Sequence, residues 1–170
     1  MALIVRPEGD DLALLLIRRA ERAGDPWSGH MALPGGRQDP GDRDALETAV
    51  REAREEVGVR LSPAGVLGRL DDVRPISGAP RIVVSAWVFG VAAGTTTHPN
   101  HEVDLAVWVP LQALQAPGAT TEYLYALASG ETLRFPAFGY RDHVIWGLTH
   151  RILAQFLEIA RHRTPGREVR

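Results

Sequence analysis

The sequence predicts an α/β fold in which one mixed β-sheet carries helices on both faces. Short apolar runs bounded by turn residues recur between residues 2 and 109, which is typical of strands. Two longer segments repeat their apolar residues at helical spacing, one inside this region and one near the end of the chain. A helix between strands and another after them favour helices on both sides of the sheet. A chain of 170 residues is enough for one domain with a core.

The first elements form a predicted hairpin. Apolar runs at residues 2–6 and 12–18 are separated by the turn residues of 7–11, which include a proline and a glycine. A shorter run at 31–33 leads into Pro34-Gly35-Gly36, a sequence typical of a turn.

The first helix is predicted to start near Asp44 and to end at Gly58. Asp42 and Asp44 mark the start, and Glu47 stands three residues after Asp44 in a capping-box-like relation. Gly58 occupies the place where a left-handed C-terminal residue is expected. At about 100° per residue, five apolar side chains form a stripe that can pack on a sheet: Leu46, Ala49, Val50, Ala53 and Val57.

The later elements are predicted from the same signals. Strands are expected at residues 66–70, 82–91, 105–109 and 132–135, loops at 74–80 and 92–100, and a short helical turn from Pro110. The last helix is predicted over 143–161, where five apolar residues recur at helical spacing: Ile145, Leu148, Ile152, Phe156 and Ile159. Residues 163–170 are polar and include Pro165-Gly166, so a frayed tail is expected after a domain of residues 1–162.

Three carboxylates share one sector of the first helix. Glu52, Glu55 and Glu56 lie within about 100° of arc beside the apolar stripe. Like charges at this spacing repel one another, so helix stability does not explain them. A hard divalent cation such as Mg²⁺ binds oxygen ligands and usually shares them with substrate phosphates. A solvated acidic face is the alternative interpretation, because Glu-rich helices are common.

The order of residues around these carboxylates resembles the Nudix box. That pattern is Gly, five residues, Glu, seven residues, then Arg-Glu-hydrophobe-x-Glu-Glu-x-Gly-hydrophobe. The segment REAREEVGV at residues 51–59 matches each specified position with Ala53 as the hydrophobe. In the first half, Asp42 replaces Glu, and eight residues instead of seven precede Arg51. In the family, the arginine at the position of Arg51 forms a salt bridge that holds the loop in place. The departure from the pattern therefore affects how the loop is held more than it affects catalysis.

The resemblance implies a Nudix-type α/β/α sandwich with a mixed β-sheet in a single domain. It also implies Mg²⁺ or Mn²⁺ bound by Glu52, Glu55 and Glu56, and hydrolysis of a small-molecule nucleoside diphosphate derivative. The proton of the attacking water needs an acceptor, for which Glu55 and Glu102 both remain candidates. The predicted catalytic residues are therefore Glu55, Glu56 and Glu102, although an exposed loop acid is an equal interpretation of Glu102.

Other segments resemble the coenzyme A pyrophosphatase subgroup of that family. GHMALPGG at 29–36 is similar to Gly-x-x-x-Phe-Pro-Gly-Gly, with Leu33 in place of the aromatic residue. LLIRRA at 15–20 is similar to Leu-Leu-Thr-x-Arg-Ser/Ala, with Ile17 in place of Thr and one extra residue before Gly29. IWGLT at 145–149 is similar to a segment that recurs in the subgroup. These likenesses imply cleavage of coenzyme A or acyl-coenzyme A into 3′,5′-ADP and (acyl-)4′-phosphopantetheine.

Several polar and aromatic residues are weaker candidates. Four residues are predicted to bind substrate, although surface arginines are common: Arg18, Arg22, Arg37 and Gly36. Trp27 and Tyr140 could stack on a base or simply pack. A zinc site at His98, His101 and Glu102 is disfavoured, because Pro99 argues against helical pairing of the two histidines.

Composition removes several function classes. The chain has no Cys and no Lys, which excludes thiol nucleophiles, Cys-bound metals, Schiff-base chemistry and the P-loop lysine. A net charge of −2 gives no footprint for nucleic acid. The sequence shows no membrane-length apolar run and no signal peptide, so a cytoplasmic location is expected. A homodimer is possible, but no heptad supports it.

Two rival functions stay open at this point. One is a Nudix pyrophosphatase for ADP-ribose, dinucleotides or nucleoside triphosphates, which the imperfect motif at 15–20 permits. The other is a non-catalytic nucleotide sensor on the same scaffold, against which the three intact carboxylates argue.

Overall fold

Residues 1–25, 27–75, 82–127 and 129–162 are described by a computed structural model of the chain. Within them the chain alternates strands and helices, which confirms the predicted α/β class. The elements are β1 (Ala2–Glu8), β2 (Asp11–Arg19), β3 (Met31–Ala32), α1 (Ala45–Val57), β4 (Val66–Arg69), β5 (Trp87–Gly90), β6 (Val103–Pro110), α2 (Leu111–Gln115), β7 (Thr120–Ala126), β8 (Thr132–Tyr140), β9 (His143–Trp146) and α3 (Gly147–His162).

The main sheet is mixed and has β2 at its centre. One edge of β2 pairs antiparallel with β1, and further along with the short β3, in the order β3-β2-β1-β5-β4. The other edge pairs antiparallel with β6 over most of its length. β1 also pairs in parallel with β5, which makes the sheet mixed as predicted.

The two faces of the main sheet bury two separate cores, because successive strand residues point to opposite faces. On one face, Ile4 and Ile17 pack with Ala49 and Ala53 of α1. On the other, alternate residues of the same strands pack with α3, whose Ile152 is almost fully buried. The predicted arrangement with helices on both faces is therefore confirmed.

A second, antiparallel sheet of β7, β8 and β9 shares the α3 side of the molecule. Its Phe138 and Ile145 join the core that α3 covers. One outer layer therefore contains a small sheet as well as a helix, which the sequence did not predict. No helix in the described ranges is both long and apolar enough to span a membrane.

The predicted boundaries fail mainly at this second sheet. Residues 143–146 form strand β9, so the prediction of a helix from His143 is wrong; the helix starts at Gly147, whose φ is +66°. Ile145 is buried from a strand yet sits at helical spacing from Leu148, which made the helix appear longer. Strand β7 was missed because Leu124 between Tyr123 and Tyr125 hides the alternation of polar and apolar residues.

Other boundaries shift by a few residues. β8 extends to Tyr140, beyond the predicted 132–135. In the predicted strand 82–91, the ladder begins at Trp87, and Val84 makes only an isolated bridge with Val73. The predicted loop at 74–80 lies mostly outside the described residues, and the predicted tail at 163–170 lies wholly outside them.

Both ends of α1 are closed by specific hydrogen bonds. The side chain of Asp44 accepts from the backbone N–H of Glu47 at 2.8 Å, as predicted. The return bond differs, because Glu47 accepts from the N–H of Arg43 and not from that of Asp44. At the other end Gly58 adopts φ +69° and donates to two helix carbonyls, which confirms the predicted left-handed cap.

The cap of α1 gives a stability prediction. Gly58→Ala should lower the free energy of unfolding by about 1–2 kcal/mol, because a Cβ disfavours the left-handed region. That Cβ would also lie 3.1 Å from Cβ of His98. Gly68→Ala is the control, since a Cβ there meets no atom within 4 Å. Urea unfolding of the three proteins measures the difference, and equal stability of both variants would contradict this account of the cap.

Candidate active site

The carboxylates of α1 lie beside the helix stripe that packs on the main sheet, and they differ in burial. Glu56 is only 4% exposed. The side chain of Glu52 is 13% exposed and that of Glu55 is 53% exposed. Two of the three therefore point into the protein, and one remains at the surface.

The loop after β3 covers the two buried carboxylates. The N–H of Gly35 donates to Oε2 of Glu56 at 2.8 Å. A Cβ at Gly36 would lie 2.3 Å from Oε1 of Glu52, and one at Gly35 would lie 2.7 Å from Cα of Met1. The close approach at Gly35 is to backbone and therefore requires glycine, whereas a Cβ at Gly36 would displace the carboxylate end of the Glu52 side chain. The structure places the predicted substrate-binding residue Gly36 directly against a predicted metal ligand.

Arg51 connects the carboxylates to the loop. Its Nη1 donates to Glu52 and to Glu55 at 2.9 Å each, and its Nη2 donates to the carbonyl of Arg37 at 3.1 Å. Its Nε and Nη2 also donate to Asp42 at 3.0 Å. One guanidinium thus fixes the orientation of two carboxylates and anchors the loop.

Asp42 takes the bracing position despite its shorter side chain and the extra residue before Arg51. The hydrogen bonds from Arg51, and next the N–H of Asp39, hold the pKa of Asp42 well below its ordinary value. The hydroxyl of Thr48 also donates to it at 2.9 Å. The departure in the first half of the motif therefore leaves the ion pair with Arg51 intact.

The buried carboxylates are costly to ionise. Burial raises the pKa of Glu56 to about 7, and the negative charges of Glu52 and Glu102 add to the rise, while the hydrogen bond from Gly35 opposes it. Burial also raises the pKa of Glu52, against the effect of Arg51. A cation at this position would relieve both the burial cost and the mutual repulsion.

The donor set fits a hard divalent cation. Among the described residues, no three His, Cys, Asp or Glu side chains already converge on a point that could hold a metal ion. Mg²⁺ does not require such a cage, because it usually binds one or two carboxylates and completes its shell with water and substrate phosphates. The carboxylates of Glu52 and Glu56, beside the glycine loop, meet that requirement.

The loop after β5 brings Glu102 to the same region. The N–H groups of His98 and Asn100 donate to the carbonyls of Val57 and Glu56 at the end of α1. Glu102 follows, forms an ion pair with Arg22 at 3.0 Å, and lies near enough to raise the pKa of Glu52 and Glu56. The structure thus brings Glu102 into electrostatic range of the carboxylates, whereas His101 is 81% exposed.

The three predicted substrate-binding arginines have different surroundings. Nε of Arg18 donates to Asp104 at 2.9 Å, and both residues line a cleft of about 480 Å³. Arg22 pairs with Glu102. The side chain of Arg37 is exposed and makes no ion pair within the part of the chain that the structure describes.

Arg19 lies in the same region, although it was not among the candidates predicted from the sequence. Its Nη2 donates to Asp25 at 2.8 Å, its charge lowers the pKa of Glu56, and it lines the same cleft as Arg18. Its Nε is buried without a hydrogen-bond partner among the described residues. A signal was available, since Arg19 and not Arg18 stands at the arginine of the LLIRRA motif.

Comparisons with known proteins identify relatives of this chain. Residues 1–128 match the family model described as NUDIX domain. An uncharacterized Nudix hydrolase NudL of Photorhabdus laumondii is 35% identical over 147 residues, which cover 85% of this chain and 75% of that protein. The human mitochondrial coenzyme A diphosphatase NUDT8 is 35% identical over 143 residues, covering 81% of this chain and 58% of that protein.

Solved structures share the fold. A MutT/nudix family protein from Enterococcus faecalis superposes with a TM-score of 0.65 at 19% identity, covering 94% of this chain and 61% of that one. The NUDIX domain of Shewanella oneidensis NrtR, solved with ADP ribose, gives a TM-score of 0.56 at 21% identity, covering 96% and 85%.

Glu56 should make the metal-free protein less stable as the pH rises. Its pKa is about 7 in the folded protein against an ordinary 4.5, so the folded state keeps a proton that the unfolded state has released. The contribution of this proton to the free energy of unfolding is complete below pH 4.5 and is lost as the pH passes 7, a change of about 3 kcal/mol. Urea unfolding in EDTA at pH 5 and pH 8 measures it.

Glu56→Gln removes the titrating group and should lose that part of the pH dependence. Glu158→Gln is the matched control, because Glu158 is exposed on α3 and should leave the pH dependence unchanged. Identical pH dependence in the wild type and in Glu56→Gln would show that Glu56 ionises normally.

Proposed function

As the chain belongs to the Nudix hydrolase family, we propose that it cleaves the diphosphate of coenzyme A or acyl-coenzyme A. The products are 3′,5′-ADP and (acyl-)4′-phosphopantetheine. The observation that carries this proposal is the enclosure of Glu52 and Glu56 by the glycine loop of the GHMALPGG segment. The 35% sequence identity to the human mitochondrial coenzyme A diphosphatase supports the choice of substrate.

In this proposal Glu52, Glu55 and Glu56 hold Mg²⁺ or Mn²⁺, since hydrolases of this family generally use divalent metal ions. The bound ion would neutralise charge on the diphosphate and lower the pKa of a water molecule. Glu56 is kept in place by the N–H of Gly35, and its ionisation is favoured once a cation is present. Arg51 holds Glu52 and Glu55 in fixed positions relative to it.

The proton of the attacking water goes to Glu55 or to Glu102. Both side chains are partly exposed, at 53% and 41%, so either can reach a water molecule. Each is paired with an arginine, Glu55 with Arg51 and Glu102 with Arg22. Binding of a substrate phosphate to Arg22 would release Glu102, whereas Arg51 remains held by Asp42. This difference favours Glu102 as the acceptor.

The substrate phosphates would be held by arginines, since the chain has no lysine. Arg37 is exposed next to Gly36 and has no competing ion pair among the described residues, so it can bind a phosphate at no cost to an existing contact. Arg18 and Arg22 would exchange their carboxylate partners for phosphate oxygens. Guanidinium groups suit this role because they bind phosphate in a bidentate manner.

A pyrophosphatase for ADP-ribose, dinucleotides or nucleoside triphosphates is the second candidate. It is favoured by Ile17 and by the extra residue before Gly29, both of which depart from the coenzyme A motif. The carboxylate site would serve either substrate class, because both contain a diphosphate.

A substrate panel separates these candidates. With millimolar Mg²⁺ or Mn²⁺, we expect release of 3′,5′-ADP from coenzyme A well above turnover of ADP-ribose, a diadenosine polyphosphate, NADH and nucleoside triphosphates, as measured by chromatography. Glu56→Gln should lose turnover by orders of magnitude, and Glu158→Gln should retain it. Turnover confined to ADP-ribose or triphosphates would refute the coenzyme A proposal. Absence of turnover with both metals would instead favour a nucleotide sensor.

Paired variants test the proton acceptor. Glu102→Gln should lower kcat by about 10²- to 10⁴-fold, the usual contribution of general base catalysis. Glu55→Gln should mainly raise the metal concentration needed for half-maximal rate. The reverse pattern would assign the proton to Glu55.

A further inference from the structure

One face of the second sheet is aromatic. Residues directly opposite in antiparallel strands point to the same side. Tyr123 lies opposite Phe135, and Trp146 lies opposite Ala137, which is two residues along β8 from Phe135. Tyr125 is two residues from Tyr123 and shares its side. These four rings, Tyr123, Tyr125, Phe135 and Trp146, are called the aromatic face below.

The rings of the aromatic face contact one another and remain partly open. Tyr123 and Trp146 stack with centroids 4.0 Å apart and planes 11° apart. Tyr125 lies 5.9 Å from Trp146 and 6.4 Å from Phe135, and it is 41% exposed. The opposite side of the sheet contributes Phe138 to the core.

This exposure is unusual for an antiparallel sheet. Such a sheet commonly packs one side on the core and presents polar residues on the other. Here the outer side presents aromatic rings, with Leu133 beside them at 42% exposure. Exposed apolar patches with polar groups at their margin mark binding surfaces.

His30 joins the aromatic face to the carboxylate site. Its ring lies 5.0 Å from that of Trp146, in an edge-on arrangement. Five residues later, Gly35 donates to Glu56. Five extended residues span at most about 16 Å, so the backbone at His30 and that at Gly35 are no farther apart than this.

The cleft that contains Arg18 and Arg19, called the arginine cleft below, lies beside His30. The N–H of Arg19 donates to the carbonyl of His30 at 3.1 Å, and that of Gly29 donates to the carbonyl of Arg19. Arg19 and Gly29 both line the cleft that contains Arg18. The aromatic face, the arginine cleft and the carboxylates are therefore connected through β3 and the end of β2.

We infer that the aromatic face binds the nucleobase of the substrate whose diphosphate lies on the carboxylates. The inference rests on the proposed function, because it requires a nucleoside diphosphate at that site. Every nucleobase has a flat π-surface that stacks on aromatic side chains, whereas a flexible acyl chain gains nothing specific from ring planes. The tyrosine hydroxyls and the His30 imidazole add polar groups that can bond to base edges.

The sequence had left two other aromatic residues, Trp27 and Tyr140, open between base stacking and packing. Tyr140 packs against the α3 side of the core and carries Arg141 over its ring. Trp27 is 42% exposed, and among the described residues no other ring stacks with it. Neither residue belongs to the aromatic face.

Tyr125→Ala tests the inference, with Leu124→Ala as its matched control. Leu124 is the preceding residue, points to the other side of β7 and is 56% exposed. Calorimetric titrations in Mg²⁺ would use ADP and, separately, inorganic pyrophosphate, which has no base. In Tyr125→Ala, affinity for ADP should fall by about 5- to 100-fold, the usual effect of losing one stacked aromatic residue. Affinity for pyrophosphate should not change, and Leu124→Ala should bind both ligands as the wild type does.

The outcomes separate this inference from the proposed function. Loss of ADP affinity in Tyr125→Ala alone supports base binding even if coenzyme A is not hydrolysed. Unchanged ADP affinity overturns the inference even if coenzyme A is hydrolysed. Equal loss for ADP and pyrophosphate would indicate a structural role and also overturn it. So would a shift of Tyr125→Ala from dimer to monomer in size-exclusion chromatography, because the face would then join two copies of the chain.

Discussion

The hydrogen bond from the Gly35 N–H to Glu56 is the contact on which the rest of the site depends. It holds a carboxylate that is 4% exposed, in a position that water cannot stabilise. A buried carboxyl group of this kind is costly unless it has hydrogen-bond partners. The loop can approach because Gly36 has no side chain to meet Glu52. The helix can approach because Ala49 and Ala53 pack it closely on the sheet.

Arg51 extends this constraint outward. One planar guanidinium reaches three carboxylates and a loop carbonyl, which a single ammonium group could not do with the same geometry. Asp42 keeps its part of the network although the loop is one residue longer than the family pattern. The ion pair with Arg51 therefore depends on the position of the carboxylate group. It depends less on the length of the side chain or of the segment that carries it.

The sequence was sufficient where a signal is local. The caps of α1, its apolar stripe and its carboxylate sector follow from residues within two or three turns of one another, and the structure agrees with them except for the donor of the return bond to Glu47. It was insufficient where tertiary contacts decide. Ile145 fits a helical period but belongs to a strand, because only the paired β8 distinguishes the two conformations. Arg19 and the aromatic face depend on contacts between segments far apart in the chain.

The shortness of β3 has a consequence for which molecules the protein can accept. The strand has two residues, both paired to β2, so it can neither slide nor stretch without breaking those pairs. Under the base-binding proposal, β3 therefore fixes the distance between the aromatic face and the carboxylates. The protein would then select ligands by the distance between the base and the scissile bond. A compound with extra phosphate units between them could not place both groups at their sites. Discrimination would then come from a backbone distance as well as from side-chain contacts.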